Sequence, residues 1–397
     1  MNSRSYETVI IGGAVVGSSV AYWLSENPDY NEKILVIEPD PTYQYASTTL
    51  SEASIRHQFS QPINIRLSQF STEFFDDFHE YVQVEGESPS LSFRETGYLF
   101  LATQSGMRNL ESNHEIQVSC GAEVSLLDPN DLNEHFPYLY TEDLAGASLG
   151  LRHEGSLDPY SLMKGFQQRA RSNGVEYLTD RVVGLHLSKK ENRITKIQLA
   201  SGEFLECNWV VNCAGPRARE IATMANLQLP VEPRIRSVFV FDCKEPLEGN
   251  LLPLTIDPCG LHVRTDPPYY ISGLPPEKDT EVEFDDFRVR HEEWEERVWP
   301  ALIHRIPAFE RIGLINTWAG HYAYNTLDQN AIVGSSELVP NLIFANGFSG
   351  HGLQQSPGIG RAVSELIIYG TYQTLDLTEL NYERIELKKP LLEKNII

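Results

Sequence analysis

The chain is short of positive charge, of paired cysteines and of long apolar runs, and each shortage narrows its function. Lys and Arg number 32 against 55 Asp and Glu, a formal net charge of −23. Surfaces that grip nucleic-acid phosphates or anionic lipid need clustered cations, so this balance argues against both partners. The five cysteines (Cys120, Cys207, Cys213, Cys243, Cys259) are odd in number and scattered, without a C-x-x-C pair or metal-like Cys/His spacing. Free thiols and no metal site are expected. A membrane-spanning helix needs about 18 uninterrupted apolar residues. The nearest approach, residues 9–24, is broken by three glycines and two serines. So little chain precedes the first predicted strand that no signal peptide is expected, and a cytoplasmic location is the simplest expectation.

What is present suits a globular α/β protein. With 397 residues, 41% of them hydrophobic, the chain can bury a sizeable core and divide into two domains. Residues 7–11 are a short β-branched run, the pattern of a buried parallel strand. The turn "GGAVVG" follows, and then Val16, Val20, Trp23 and Leu24 recur at helical spacing. "KILVI" (33–37) is the next strand and ends at Glu38, completing a strand–turn–helix–strand unit. Gly12 permits the tight turn, and Gly17 lets helix and strand pack closely. Between them Ala14 replaces the usual middle glycine, adding a methyl but keeping the amides that face a pyrophosphate. Glu38 lies 21 residues beyond Gly17, in register to accept the ribose hydroxyls of an adenine dinucleotide.

A nicotinamide dehydrogenase would complete its binding domain in one stretch, whereas here the nucleotide-domain signals return twice. Residues 175–215 read as a β-meander, with "KKEN" as a turn, feeding a buried strand that ends in "CAGP". Residues 341–370 read as a strand, a turn carrying Gly347, Gly350 and Gly352, and a helix. Ser356 is expected as its N-cap and Pro357 as its first residue, with Gly370 stopping it. A helix N-terminus aimed at a cofactor ring stabilises negative charge there. A reduced flavin carries such charge and a reduced nicotinamide does not, which favours FAD.

These segments, with "YASTTLSEASIRHQFS", "TGYLFLA", "NTLDQNAIVG" and above all "GFSGHGLQQSPGIGRA", resemble the D-amino-acid-oxidase-like FAD-dependent oxidoreductases. That family includes sarcosine and glycine oxidases, and the match covers nearly the whole chain. The resemblance implies a Rossmann-like, discontinuous FAD-binding domain from roughly 1–84, 146–222 and 316–397. An antiparallel-sheet α+β substrate domain would take roughly 85–145 and 223–315. It implies FAD contacts from Gly12, Ala14, Val15, Val16, Gly17, Glu38, Pro39, Ala46, Ser47, Thr48, Thr49 and Val182. Further contacts would come from Cys213, Ala214, Gly215, Gly347, Gly350, His351, Gly352, Leu353 and Gln354.

For the chemistry, Arg56 matches the family's carboxylate-binding arginine, His351 sits beside the flavin, and His57 and the Cys213 thiol are left as structural. Three positions depart from the sarcosine-oxidase pattern. His321 stands where those enzymes attach FAD through cysteine, so non-covalent FAD is expected. Gln354 replaces a carboxylate-binding lysine. Tyr270 falls near the lysine that activates oxygen, which leaves an oxidase and a dehydrogenase with another electron carrier equally open. The leading expectation is oxidation of a small carboxylate-bearing amine, an amino or N-alkylamino acid. Hydroxy-acid oxidation on the same scaffold and a non-catalytic flavoprotein assembly factor are the rivals.

Overall fold

The β-branched run 7–11 becomes the inner half of the first strand, β1 (Arg4–Ile11), and helix α1 (Val15–Glu26) and strand β2 (Ile34–Glu38) follow as the spacing predicts. The remaining elements of this layer are α2 (Pro62–Asp76), α3 (Pro159–Ser172), β3 (Glu176–Thr179), β4 (Phe204–Asn212), β5 (Ile332–Ser336), β6 (Val339–Asn346) and α4 (Gly352–Tyr369). This computed structural model describes residues 4–188, 190–247 and 252–395. The strands lie in the order β5-β6-β4-β1-β2-β3, parallel except for β5. Alternate residues feed opposite faces, as a doubly covered parallel sheet requires. Val9, Ile11, Leu35, Ile37, Val210 and Phe344 enter one core, while Ile10, Val36, Val211 and Ile343 pack with Val20, Leu24, Ile359 and Val363 of α1 and α4. The expected meander is present as strands Val182–Ser188 and Arg193–Leu199, antiparallel to one another and to β4; Lys189 of its "KKEN" turn lies outside the described residues.

The second sheet has eight strands and runs from Ile312–Asn325 through Val231–Cys243, Tyr269–Gly273, His262–Asp266, Leu254–Ile256 and Tyr98–Ala102 to Gly146–Gly150 and Val124–Leu127. It is antiparallel except where Leu254–Ile256 meets Tyr98–Ala102. The segment 291–305 is helical, and Val298 and Leu302 cover this sheet's outer face with Phe239, Phe241 and Phe309. The boundaries expected at 146 and 316 fall at strands of this sheet, Gly146–Gly150 and Ile312–Asn325. The ribbon formed by Val231–Cys243 and Ile312–Asn325 ties the layers together. Its Phe239 and Phe241 lie in the outer core, and its Val231 and Ala323 in the nucleotide-side core.

Helix α4 begins at Gly352, five residues before the expected start, so Ser356 and Pro357 lie inside it and neither caps it. An internal proline leaves the carbonyl four residues back without its amide donor. Here that carbonyl belongs to Leu353, and the Ser356 hydroxyl donates to it at 2.8 Å. The Ser–Pro pair that resembles a helix start is thus a local substitution of one donor for another.

α4 lies directly against α1. At Gly360 a Cβ would stand 2.1 Å from the Ser19 hydroxyl and 2.7 Å from the Ser19 carbonyl carbon, so only hydrogen fits. Ser19 Oγ also donates to the Ser356 carbonyl at 2.7 Å. Gly360→Ala is expected to cost about 1–3 kcal/mol, the range for overpacking a closed interface. The thermal midpoint of the FAD-loaded protein should fall, and FAD affinity with it; an unchanged midpoint would contradict this packing.

Candidate active site

The N-termini of α1 and α4 open on one cavity of about 840 Å³ between the two sheets. At the nucleotide end, Gly12 has φ +98°, and a side chain there would meet the Cys213 carbonyl oxygen at 2.3 Å. Ala14 occupies the N-cap of α1 in an extended conformation, and its own side chain makes no capping hydrogen bond. The first amides of a helix have no intrahelical acceptor and carry its positive dipole end. Here Gly13 N donates to Glu38 Oε2 at 2.9 Å, and Val15 N to Thr48 Oγ1 at 3.3 Å. The other Glu38 oxygen accepts Asp40 N at 2.9 Å. Burial raises the Glu38 carboxyl above its usual range, opposed by those Asp40 and Gly13 amides. Val16, Pro39, Ala46, Ser47, Val182, Ala214 and Gly215 complete this end, with open space at Gly215 where a Cβ would project. Cys213 is in the wall too, its thiol pushed upward by burial, as suits a packing role.

At the other end Gly350, His351, Gly352, Leu353 and Gln354 bring the start of α4 to the cavity beside Arg56. Arg56 is 2% exposed. Its guanidinium donates to the Gln58 carbonyl at 2.6 Å, to the Asn395 carbonyl, and to His351 Nε2 at 3.0 Å. Since Arg can only donate, His351 Nε2 is the acceptor and its proton sits on Nδ1. Burial, and then Arg56, push the His351 pKa well below the ordinary histidine value. Phe59 stacks on the guanidinium at 4.2 Å. Among the described residues no carboxylate is ion-paired with Arg56, so it is a buried cation rather than half of a surface pair. Gln354 Oε1 accepts Arg56 N at 2.9 Å and Ser68 Oγ at 3.2 Å, which fixes the arginine's backbone.

Behind Arg56, Glu154 accepts His57 N at 2.6 Å and Gln58 Nε2 at 2.8 Å. Burial lifts its carboxyl to about 7 although Gln58, His57 and Arg56 favour the charged form. His57 is held by Thr72 at 3.0 Å and stays out of the wall, as expected.

Four expected residues stand outside the wall. Gly17 packs against β1, where a Cβ would meet the Gly12 oxygen at 1.9 Å, and Gly347 faces Asn325, Val231 and Ile332. Thr49 buries its hydroxyl without a partner. Tyr270 needs correction: it points to the outer face of the second sheet, stacked on Phe241 at 5.5 Å with its hydroxyl held by Leu247 N. Side chains alternate along a strand, so its neighbour Ile271 takes the inner face with Val238. The wall instead holds charged and phenolic residues that sequence reasoning passed over: Glu52, Tyr98, Arg236, His262 and Tyr322.

A family model described as FAD dependent oxidoreductase matches residues 7–366. The chain belongs to the DAO family of FAD-dependent oxidoreductases. FAD-dependent oxidoreductase domain-containing protein 1 of Xenopus laevis is 40% identical, covering 98% of this chain and 85% of its own. Among solved structures, L-proline dehydrogenase from P. horikoshii has a TM-score of 0.85 at 27% identity, with 97% of this chain and 99% of that one covered. Glycine oxidase from Geobacillus kaustophilus has a TM-score of 0.79 at 18% identity, covering 96% and 98%, a likeness of fold.

FAD is the cofactor of this DAO-family chain, and the cavity fits it. One end offers the α1 N-terminus and the Glu38 carboxylate for a dinucleotide, and the other offers the α4 N-terminus for a ring that gains negative charge. His321 is in the wall with its ring stacked on Phe287 at 4.2 Å and Nε2 bonded to the Asp286 carbonyl at 2.7 Å. Acid or heat denaturation is expected to release all flavin into the filtrate, and yellow colour that stays with precipitated polypeptide would refute non-covalent attachment. Glu154 supplies a pH test. Its carboxyl is raised from 4.5 to about 7 on folding, so the folded state holds the extra proton. That contribution is full below 4.5 and is lost as pH rises through 7, about 3 kcal/mol in all. Between pH 5 and 8 the midpoint of the native protein should fall relative to that of Glu154→Gln; parallel curves would refute the shift.

Proposed function

We propose that the protein oxidises the C–N bond of a small amino or N-alkylamino acid. The observation that carries this reading is Arg56, a buried guanidinium at the cavity wall whose partners are two carbonyls and a neutral imidazole. Among the described residues, Nε and one hydrogen of Nη1 have no acceptor, and a substrate carboxylate is the anion that complements them. Bound FAD supplies the two-electron oxidant.

The remaining work falls to the chain. Arg56 holds the carboxylate, while Gln354 and Glu154 fix the loop that carries it. Aromatic and aliphatic side chains (Tyr98, Tyr322, Val238, Leu254) shape the space beside it and displace water. The names of L-proline dehydrogenase and glycine oxidase among the structural neighbours support an amino-acid substrate.

Anaerobic mixing with a panel of amino, N-methylamino and hydroxy acids tests the reading by loss of flavin absorbance. Bleaching by an amine is expected, and bleaching by hydroxy acids alone, or by nothing, would overturn it. Arg56→Ala should weaken the bleaching substrate by about 2–5 kcal/mol, mainly in KM; an unchanged KM would remove Arg56 from the site. Repeating the mixing with oxygen and with an artificial dye as acceptor separates oxidase from dehydrogenase.

A further inference from the structure

Resting on the amino-acid reading, we infer that Glu52, held by His262, is the counter-charge for the substrate nitrogen and makes the site select amines over their oxygen analogues. Glu52 lines the cavity. Its Oε1 meets His262 Nε2 at 2.7 Å, and its main-chain oxygen accepts Arg264 Nη2 at 3.0 Å. Oε2 has no donor among the described residues. The His262 ring lies across Gly273, where a Cβ would stand 2.7 Å from Nε2, so packing fixes the ring that aims the carboxylate. Burial opposes charge on Glu52, but His262 and then Arg264 hold its carboxyl below the usual range.

Glu52 shares its compartment with Arg56. Burial raises the phenols of both Tyr98 and Tyr322, and on each of them Arg56 and Glu52 pull in opposite directions. Glu52, Arg56 and both rings line the same cavity, so it holds a fixed cation and a fixed anion. That polarity matches a zwitterion, with carboxylate toward Arg56 and nitrogen toward Glu52.

The chemistry gives the anion a second use. Bound FAD would take the electron pair of the carbon–hydrogen bond beside nitrogen, together with the hydrogen, as hydride. The ammonium proton is first lost to solvent; the freed nitrogen lone pair then closes a C=N bond, and nitrogen regains a unit positive charge. A carboxylate already in place stabilises that charge as it develops. A hydroxy acid loses its hydroxyl proton and ends as a neutral ketone, so it gains no comparable help. Arg236, another cation in this wall, is already bidentate to Asp279 at 2.9 and 2.8 Å.

The test uses isosteric pairs: sarcosine with methoxyacetate, and L-proline with tetrahydrofuran-2-carboxylate. Each is titrated by calorimetry into FAD-loaded protein reduced beforehand with dithionite, so that no turnover occurs. The native protein should bind the amine of at least one pair about 10- to 100-fold more tightly, the range for a hydrogen bond to a charged group. Glu52→Gln should bring the pair within about twofold, and Glu52→Asp, which keeps the charge, should retain a preference. Arg56→Ala should weaken both members and leave their ratio unchanged.

Equal affinity for both members in the native protein would overturn the proposal, even if the Glu52→Gln variant failed to retain FAD. So would an amine preference that survives Glu52→Gln, and in that case the amino-acid reading stands without Glu52. If the native protein binds neither member of any pair, the amino-acid reading falls first and this assignment with it.

Discussion

The contact between Ser19 and Gly360 is the constraint on which the site depends. Two helices separated by more than 300 residues of chain approach so closely that one of them presents hydrogen alone at the crossing. This approach places the N-termini of α1 and α4 on the same cavity. Helix dipoles act within about a turn of the helix end, so a small splay of the pair would take one terminus out of range. The Ser19 hydroxyl reinforces the crossing by bonding the Ser356 carbonyl, beside the residue where Pro357 interrupts the helix's own bonding.

Electrostatically the far end of the cavity is built around an imbalance. Burying a cation without a counter-ion is costly, and folded proteins tolerate it where a ligand completes the pair. Main-chain carbonyls and the Phe59 face reduce the cost at Arg56 without neutralising it. His351 contributes by staying neutral, because a second positive charge beside the guanidinium would be self-defeating. The neutral histidine, the amide of Gln354 and the raised Glu154 carboxyl are one device, holding a charge in place while leaving it available.

Local pattern made the first half of the site legible in the sequence. Gly12, Ala14, Gly17 and Glu38 lie within one strand–turn–helix–strand unit, where spacing alone fixes geometry. Arg56 was legible only through the family motif around it. The start of α4 was misplaced because Ser-Pro is a common opening of helices, and nothing local shows that a serine can replace a proline's missing donor. Tyr270 was misread because period-two alternation makes a one-residue slip exchange the two faces of a strand. Glu52 and His262 went unnoticed for a different reason: they come from a loop and a strand 210 residues apart, and their 2.7 Å contact exists only once both sheets are assembled.

That assembly has an order imposed by the chain itself. β1, at the centre of the nucleotide sheet, is made before the other described strands, while β5, β6 and α4 follow every strand of the second sheet. Between them the chain must emerge through the whole second sheet, so the sheet edge that β6 covers stays open for most of synthesis. Parallel pairings of such sequence separation form slowly, and unpaired edges are where nascent chains stick to one another. The nucleotide-binding turn is therefore complete early but has no complete cofactor pocket to serve until α4 arrives. Residues late in the chain thus complete the cavity, so its closure follows the appearance of the nucleotide-binding turn.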